Sequence, residues 1–249
     1  NGNMSIPEIA MRLTTEEDIL PGYVKITFPE GWESKKMAER LTANGFDGAG
    51  FLEIMKNPSP EITSKFEFLK GVKNLEGYLF PDTYFFTDGL SAEKIVLKIL
   101  DNFDGKVTAE ARQEIQRQKK SLGEIITMAS IIEKEVRSAE DQKIVSGIFW
   151  NRIKVGQALQ SCATLSFILG INKKQYSIAD TQIKSPYNTY LNRGLPPGPI
   201  YNPGLSAIQA AIYPENSDYN YFLSDPDTGT TIFSKSLEEH NANKLKYGL

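Results

Sequence analysis

Apolar residues recur at helical spacing most clearly between Ser121 and Arg137, in the run SLGEIITMASIIEKEVR. No proline interrupts the run and no glycine follows Gly123, so the spacing predicts a helix. At about 100° per residue, Thr127, Ser130, Lys134 and Arg137 gather on one narrow polar stripe. Ile125, Met128, Ala129, Ile131, Ile132 and Val136 fill most of the remaining circumference, as in a largely buried helix. Two carboxylates break the pattern. Glu133 falls at the edge of the polar stripe, beside Ile126, where water is expected. Glu135 falls between Met128 and Ile131, inside the apolar sector, about 200° away from Glu133 around the axis.

Residues 1–21 read as a lead-in, with Leu13 to Glu17 a helix cap or loose tail. Tyr23 to Phe28 alternates as a strand, and Pro29-Glu30-Gly31-Trp32 turns the chain. A helix from Lys35 to Ala43, started by Glu33 or Ser34, ends at Asn44-Gly45. A second, from Gly48 to Met55, stops before Asn57-Pro58-Ser59-Pro60. This strand–helix–helix unit suits either a small binding module or a structural cap on the next domain. Residues 61–90 are dense in aromatics: Phe66, Phe68, Tyr78, Phe80, Tyr84, Phe85 and Phe86. Rings of this kind build a core or stack on sugar faces, and composition favours the core.

Further helices are expected over Ser91 to Phe103, Thr108 to Lys119 and Ala139 to Val155, the last ended by Gly156. Leu159 to Thr164 leads into an apolar segment through Leu169, and Ile178 to Ile183 reads as a short helix. Ser185 to Gly204 holds five prolines and three glycines, which prevents regular structure. A loop of that length in a compact domain is functional or disordered, and its interleaved Tyr and Asn argue for function. Ser206 to Tyr213 is a helix. Tyr219 to Ser224 and Thr230 to Phe233 are strands about the turn Asp225 to Gly229, and a last helix starting near Ser236 carries His240.

Composition narrows the chemistry. The 249 residues are 40% hydrophobic and 24% charged, with a net charge of −3, which is ordinary globular material with a core of good size. No Lys/Arg block stands out, so nucleic acid is not an expected partner. A single cysteine, Cys162, rules out an intrachain disulfide and a cysteine zinc cluster. A single histidine, His240, disfavours a catalytic triad and any metal site not built from carboxylates. There is no phosphate-cradling glycine loop, no zinc-spaced ligand set and no Gly-x-Ser-x-Gly, so no metal or cofactor is expected. No stretch of about 18 apolar residues spans a membrane.

Glu135 then carries the chemistry. A carboxylate in an apolar sector loses water, which raises its pKa, and a carboxylic acid still protonated near neutral pH is what a general acid requires. The plain alternative is a Glu paired with Arg or Lys.

The motifs, taken in order, resemble one family. Glu76-Gly77-Tyr78-Leu79-Phe80-Pro81-Asp82-Thr83-Tyr84 is followed by Met128-Ala129-Ser130-Ile131-Ile132-Glu133-Lys134-Glu135, then Asn151-Arg152 and Leu159-Gln160-Ser161. Tyr187-Asn188-Thr189-Tyr190, Gly194 to Ile200, Asn202-Pro203-Gly204, Tyr221-Phe222 and His240-Asn241 complete the set. Over roughly residues 23–249 the chain resembles the YceG-like endolytic murein transglycosylases, which cleave bacterial cell-wall glycan. Phe28 to Trp32 with its helix resembles their LysM-like module.

The resemblance implies an α+β fold in which a LysM-like module with lead-in (residues 1–70) precedes a mixed α/β catalytic domain (residues 71–249). It makes Glu135, the second Glu of Glu-Lys-Glu, the catalytic acid. Gln160, Tyr187, Asn188 and Tyr190 would bind substrate, and Glu76 would be either a cleft residue or a buried partner of Arg152. Where the family usually has Asp after Leu-Gln-Ser, this chain has Cys162, read as a small buried replacement for a structural Asp. The implied reaction breaks the β-1,4 bond between N-acetylmuramic acid and N-acetylglucosamine, leaving a 1,6-anhydro ring. The alternatives are a muramidase acting on the same bond, or a non-catalytic glycan-binding protein of wall synthesis. The implied partners are peptidoglycan glycan strands and wall-synthesis proteins such as penicillin-binding proteins. The implied location is outside the cytoplasm, anchored in the cytoplasmic membrane by an amino-terminal helix absent from this sequence.

Overall fold

The computed structural model describes residues 22–173, 175–225 and 228–248. The expected lead-in and part of the expected turn between Asp225 and Gly229 lie outside them. Strand β1 (Tyr23–Thr27) pairs antiparallel with β2 (Thr83–Thr87), from Tyr23↔Thr87 to Thr27↔Thr83. β2 lies in the aromatic-rich run, where the sequence predicts no strand. Its side chains alternate, Tyr84 and Phe86 buried and Phe85 exposed, as one covered face requires. Phe28 packs on Tyr84 at 5.8 Å and Phe68 on Phe103 at 5.0 Å, so these rings mostly serve the core. Between the strands run α1 (Ser34–Ala43), α2 (Gly48–Lys56) and the short α3 (Pro60–Thr63). The sheet therefore takes one strand from each side of residue 70.

Helices α4 (Ala92–Lys106) and α5 (Ala109–Arg117) are capped by Ser91 and Thr108, whose hydroxyls accept the N–H groups of Lys94 and Ala111. α4 packs on α2. Helix α6 (Leu122–Glu135) opens with a capping box, the Ser121 and Glu124 side chains each meeting the other's backbone N–H. α6 ends where Val136 turns extended. Ile125, Ile126, Met128, Ala129, Ile131 and Ile132 are all at 0% exposure. Burial of each isoleucine is worth about 1.5–3 kcal/mol. Around α6 lie α7 (Ala139–Lys154), α8 (Cys162–Leu169) and α10 (Leu205–Ile212), with the single-turn α9 (Ile178–Thr181) between α8 and the proline-rich loop. α8 occupies what the sequence showed only as an apolar segment, and Gly170 ends it at φ 66°. The amino-terminal half of the polar stripe on α6 does not face water: Thr127 and Ser130 are buried, while Lys134 and Arg137 are exposed. Ser130 is fully buried, its hydroxyl donating to the Thr127 carbonyl (2.8 Å) and accepting the N–H of Ile200 (3.1 Å), so the stripe holds the proline-rich loop.

The hairpin β3 (Tyr221–Ser224) and β4 (Thr231–Ser234) is covered by α11 (Leu237–Lys246). The whole is α+β, with one continuous set of buried side chains running from Ile26 to Ile212.

One buried residue fastens three segments. Asn202 accepts the N–H groups of Gly77 (2.8 Å) and Leu79 (3.0 Å) on Oδ1, while Nδ2 donates to Trp32 O (3.0 Å) and Glu76 Oε1 (2.7 Å). Its backbone bridges Trp32 and also accepts from Gly31. Gly77 sits at φ 89°, where a Cβ would come within 2.4 Å of Pro199, so only glycine fits.

Candidate active site

Glu135 is the last residue of α6, and its carboxylate turns to the start of α8. Ser161 Oγ donates to Glu135 Oε1, and the N–H of Ala163 reaches the same oxygen at 3.5 Å. Ser161 is the N-cap of α8 but makes no side-chain cap bond, because its hydroxyl is given to Glu135. Gln160, just before it, has φ 54°, a left-handed conformation that costs a non-glycine residue about 1–3 kcal/mol. Three bonds hold the bend: Gln160 N–H to Thr189 O and Ser161 N–H to Thr189 Oγ1, both 3.0 Å, and Arg152 Nη1 to Leu159 O, 2.6 Å. Arg152 Nη2 also donates to Asn220 O (2.8 Å).

Burial pushes the Glu135 carboxyl above its ordinary value, and outweighs the Ser161 and Ala163 hydrogen bonds and the Arg152 charge, which pull it down. The group still opens onto solvent at the floor of a cleft of about 480 Å³, bordered by Lys134, Cys162, Tyr176, Tyr190 and Lys244. His240 stacks on Tyr221 at 5.2 Å, and burial lowers its pKa. Among the described residues no group of three His, Cys, Asp or Glu is arranged to hold a metal ion.

Cys162 is not the buried replacement the sequence suggested. As the first residue of α8 it is exposed at the cleft, and its Sγ lies 3.2 Å from Tyr190 Oη. The Asp that the resemblance places here would therefore face the acid. Glu133 also departs from expectation. It is shielded from water by the Glu30–Gly31 turn and by Gly204, whose N–H it accepts at 3.0 Å. Burial raises it to about 7, aided by the neighbouring Glu30 charge and opposed by the Gly204 bond. A wheel drawn on α6 alone could not show this, since the shielding residues come from far along the chain.

Of the other sequence-nominated residues, only Tyr190 shares the cleft of Glu135. Tyr187 stacks on Phe167 at 5.0 Å and faces a second cleft, of about 690 Å³, which Glu76 also borders. Asn188 is fully buried and works inside its own loop, with Nδ2 donating to Thr181 O and Ile183 O and Oδ1 accepting the Tyr190 N–H. The Gln160 side chain is exposed; its contribution is the backbone bend. Glu76 is not the partner of Arg152. It accepts the N–H (3.0 Å) and hydroxyl (2.6 Å) of Ser34 at the start of α1, and Asn202 Nδ2. Burial raises it to about 7 against those bonds. Ser161 was missed as a contributor; a serine immediately before an apolar helix was the available signal, but it reads as a cap.

The YceG-like family profile matches residues 1–246. The chain is 34% identical over 259 residues to the endolytic murein transglycosylase of Bacillus subtilis, covering 99% of this chain and 71% of that protein. It is 31% identical over 255 residues to the endolytic murein transglycosylase of Streptococcus pneumoniae strain D39, covering 94% of this chain and 46% of that protein. The crystal structure of a YceG-like protein from Listeria monocytogenes superposes with a TM-score of 0.79 at 37% identity, over 96% of this chain and 81% of that one. The sequence motifs, the fold and these relatives agree, and the chain belongs to the YceG-like family.

Proposed function

We propose that this chain is an endolytic peptidoglycan transglycosylase that cuts the bond between N-acetylmuramic acid and N-acetylglucosamine, with Glu135 as its acid and base. The observation that carries the reading is the cleft's inventory. Among the described residues that line it, Glu135 is the sole carboxyl group, and its surroundings favour the neutral form. Hydrolysing glycosidases ordinarily use a pair of carboxylates flanking the bond. An intramolecular reaction needs one. Neutral Glu135 gives its proton to the leaving glycosidic oxygen as the C1–O bond breaks. The carboxylate so formed, steadied by Ser161 and the Arg152 charge, then takes the O6 proton as O6 bonds to C1. The 1,6-anhydro ring closes, and Glu135 is protonated again without water entering the products. Glu133 takes no part in this, because it points to Gly204 and Glu135 to Ser161. Tyr190 and Cys162 form the wall, and Lys134 and Lys244 suit the acidic groups carried by muramoyl residues.

The two-part division, a LysM-like module over residues 1–70 and a catalytic domain over residues 71–249, is part of the proposal, with β2 of the second part completing the sheet that β1 begins. The substrate places the enzyme outside the cytoplasm. No helix among the described residues is long and apolar enough to cross a membrane. The test is digestion of purified glycan strands followed by mass spectrometry. Ends in 1,6-anhydromuramic acid are expected, one water lighter than hydrolysed ends. Glu135→Gln should keep the fold and lose at least about 10⁴ in rate, the upper end of what general acid–base help supplies. Reducing muramic acid ends as the main product, or full activity in Glu135→Gln, would overturn the reading.

A further inference from the structure

The second cleft is not a separate feature of the surface. Three elements contribute residues both to it and to the cleft of Glu135. α6 gives Thr127 to the second cleft and Lys134 with Glu135 to the first. α8 gives Phe167 to the second and Cys162, Ala163 and Ser166 to the first. The proline-rich loop gives Tyr187 to the second and Tyr190 to the first. Side-chain contacts join them: Tyr201 Oη donates to Ser166 Oγ at 3.3 Å, and its ring meets that of Phe167, which meets that of Tyr187. Thr127 and Glu135 are eight residues apart on α6, about 12 Å along its axis. That is a few sugar units.

The second cleft has the chemistry of a saccharide site. The Tyr187 ring and the faces of Pro197 and Pro199 supply flat apolar surface. Asn74 and Thr127 supply amide and hydroxyl groups, beside Glu76, whose carboxyl is held by Ser34 and Asn202. Its walls are stiff, since the prolines fix one and the capped start of α6 forms another.

We propose that this cleft is a distal subsite that grips the glycan strand a few sugars away from the scissile bond and so sets where along the strand Glu135 cuts. The proposal rests on the transglycosylase reading for its substrate class. It explains why an enzyme cutting within a strand would hold far more surface than one bond needs.

Gly123 offers a way to fill the cleft without harming the fold. It lies in the first turn of α6, and a Cβ there would meet only Tyr78 Oη at 3.6 Å and Ser121 Oγ at 3.9 Å. Gly123→Gln therefore projects a side chain into the cleft while replacing glycine with a better helix former. Gly123→Ala makes the same helix change with a single methyl. Binding of uncross-linked glycan strands is measured by calorimetry in a Glu135→Gln background, and product lengths are measured in the active protein. Gly123→Gln should weaken strand binding about tenfold and shift the product lengths, Gly123→Ala should do much less, and Tyr187→Ala should resemble Gly123→Gln. Wild-type binding and wild-type lengths in both Gly123→Gln and Tyr187→Ala would overturn the subsite, as would equal losses in Gly123→Ala and Gly123→Gln. If strands bind and Gly123→Gln abolishes the binding, yet no bond is cut by the active protein, the subsite stands and the transglycosylase reading falls.

Discussion

Ser161 and Glu133 show at single-residue scale how neighbours decide what a carboxyl group does. Ser161 donates to Glu135 and so favours its charged form, against burial. Ser161→Ala removes that bond, which should raise the Glu135 pKa further and move the alkaline limb of the pH–rate profile upward. It should also cut the rate about tenfold, the equivalent of about 1.4 kcal/mol and at the upper end of what an ordinary hydrogen bond contributes. An unmoved alkaline limb would show that Ser161 merely fills space. Glu133 bears on stability. Its carboxyl is raised to about 7 from 4.5, so between those values the folded chain binds a proton that the unfolded chain has released. Stability from this group is therefore greatest at low pH and declines as pH rises from about 4.5 through 7. Glu133→Gln should flatten that decline and exceed wild type at pH 8 by on the order of 1–3 kcal/mol. Glu76, raised in the same direction, keeps part of the slope. Chemical denaturation at pH 5 and pH 8 measures the difference; identical slopes in variant and wild type would contradict it.

Between elements, the decisive contacts come from residues that belong to no helix or strand. Asn202 satisfies two buried N–H groups of the 77–79 turn while holding Trp32 and Glu76. Asn202→Ala leaves those donors without an acceptor, at about 1–3 kcal/mol for each unsatisfied group. A loss of about 2–5 kcal/mol in unfolding free energy is expected, far beyond the effect of an exposed asparagine such as Asn192; a loss below about 1 kcal/mol would contradict the role. This also explains what the sequence could and could not disclose. α6, its Ser121 cap and the placement of Glu135 away from Glu133 are local, written in a 3.6-residue period, and the sequence displays them. α7 and α10 are legible for the same reason. β2 was hidden because five residues of aromatic alternation look like core, and a strand is defined by its partner, here β1 more than fifty residues back. α8 was hidden because apolar residues run almost all round it. The burial of Glu133 and the bend at Gln160 depend on distant segments, and Asn188 is held by irregular loop backbone, so no periodicity registers them. Cys162 misled for a related reason: residue type suggested burial, whereas its place at a helix start beside a cleft exposes it.

For the molecule as a whole, the tie between Trp32 and Asn202 has a consequence for the order in which the chain folds. The two residues are 170 positions apart. Closing so long a loop costs entropy before any contact repays it, and contacts of such separation slow folding. A chain growing from its amino end holds the Pro29–Trp32 turn without its counterpart until the proline-rich loop has been made. The parts that pack along α6 have nearer partners; Trp150 of α7 donates to Ala211 O only 61 positions away. The two tryptophans thus mark an early and a late event. In refolding followed by fluorescence, a Trp150→Phe protein, reporting through Trp32, should gain its native signal more slowly than a Trp32→Phe protein, reporting through Trp150. Equal rates would mean that the tie forms with the rest of the core. Slower recovery at Trp32 would mean that the shield over Glu133 closes last, and that the newly made chain passes through a stage in which α6 is already built while the turn that covers it is still open.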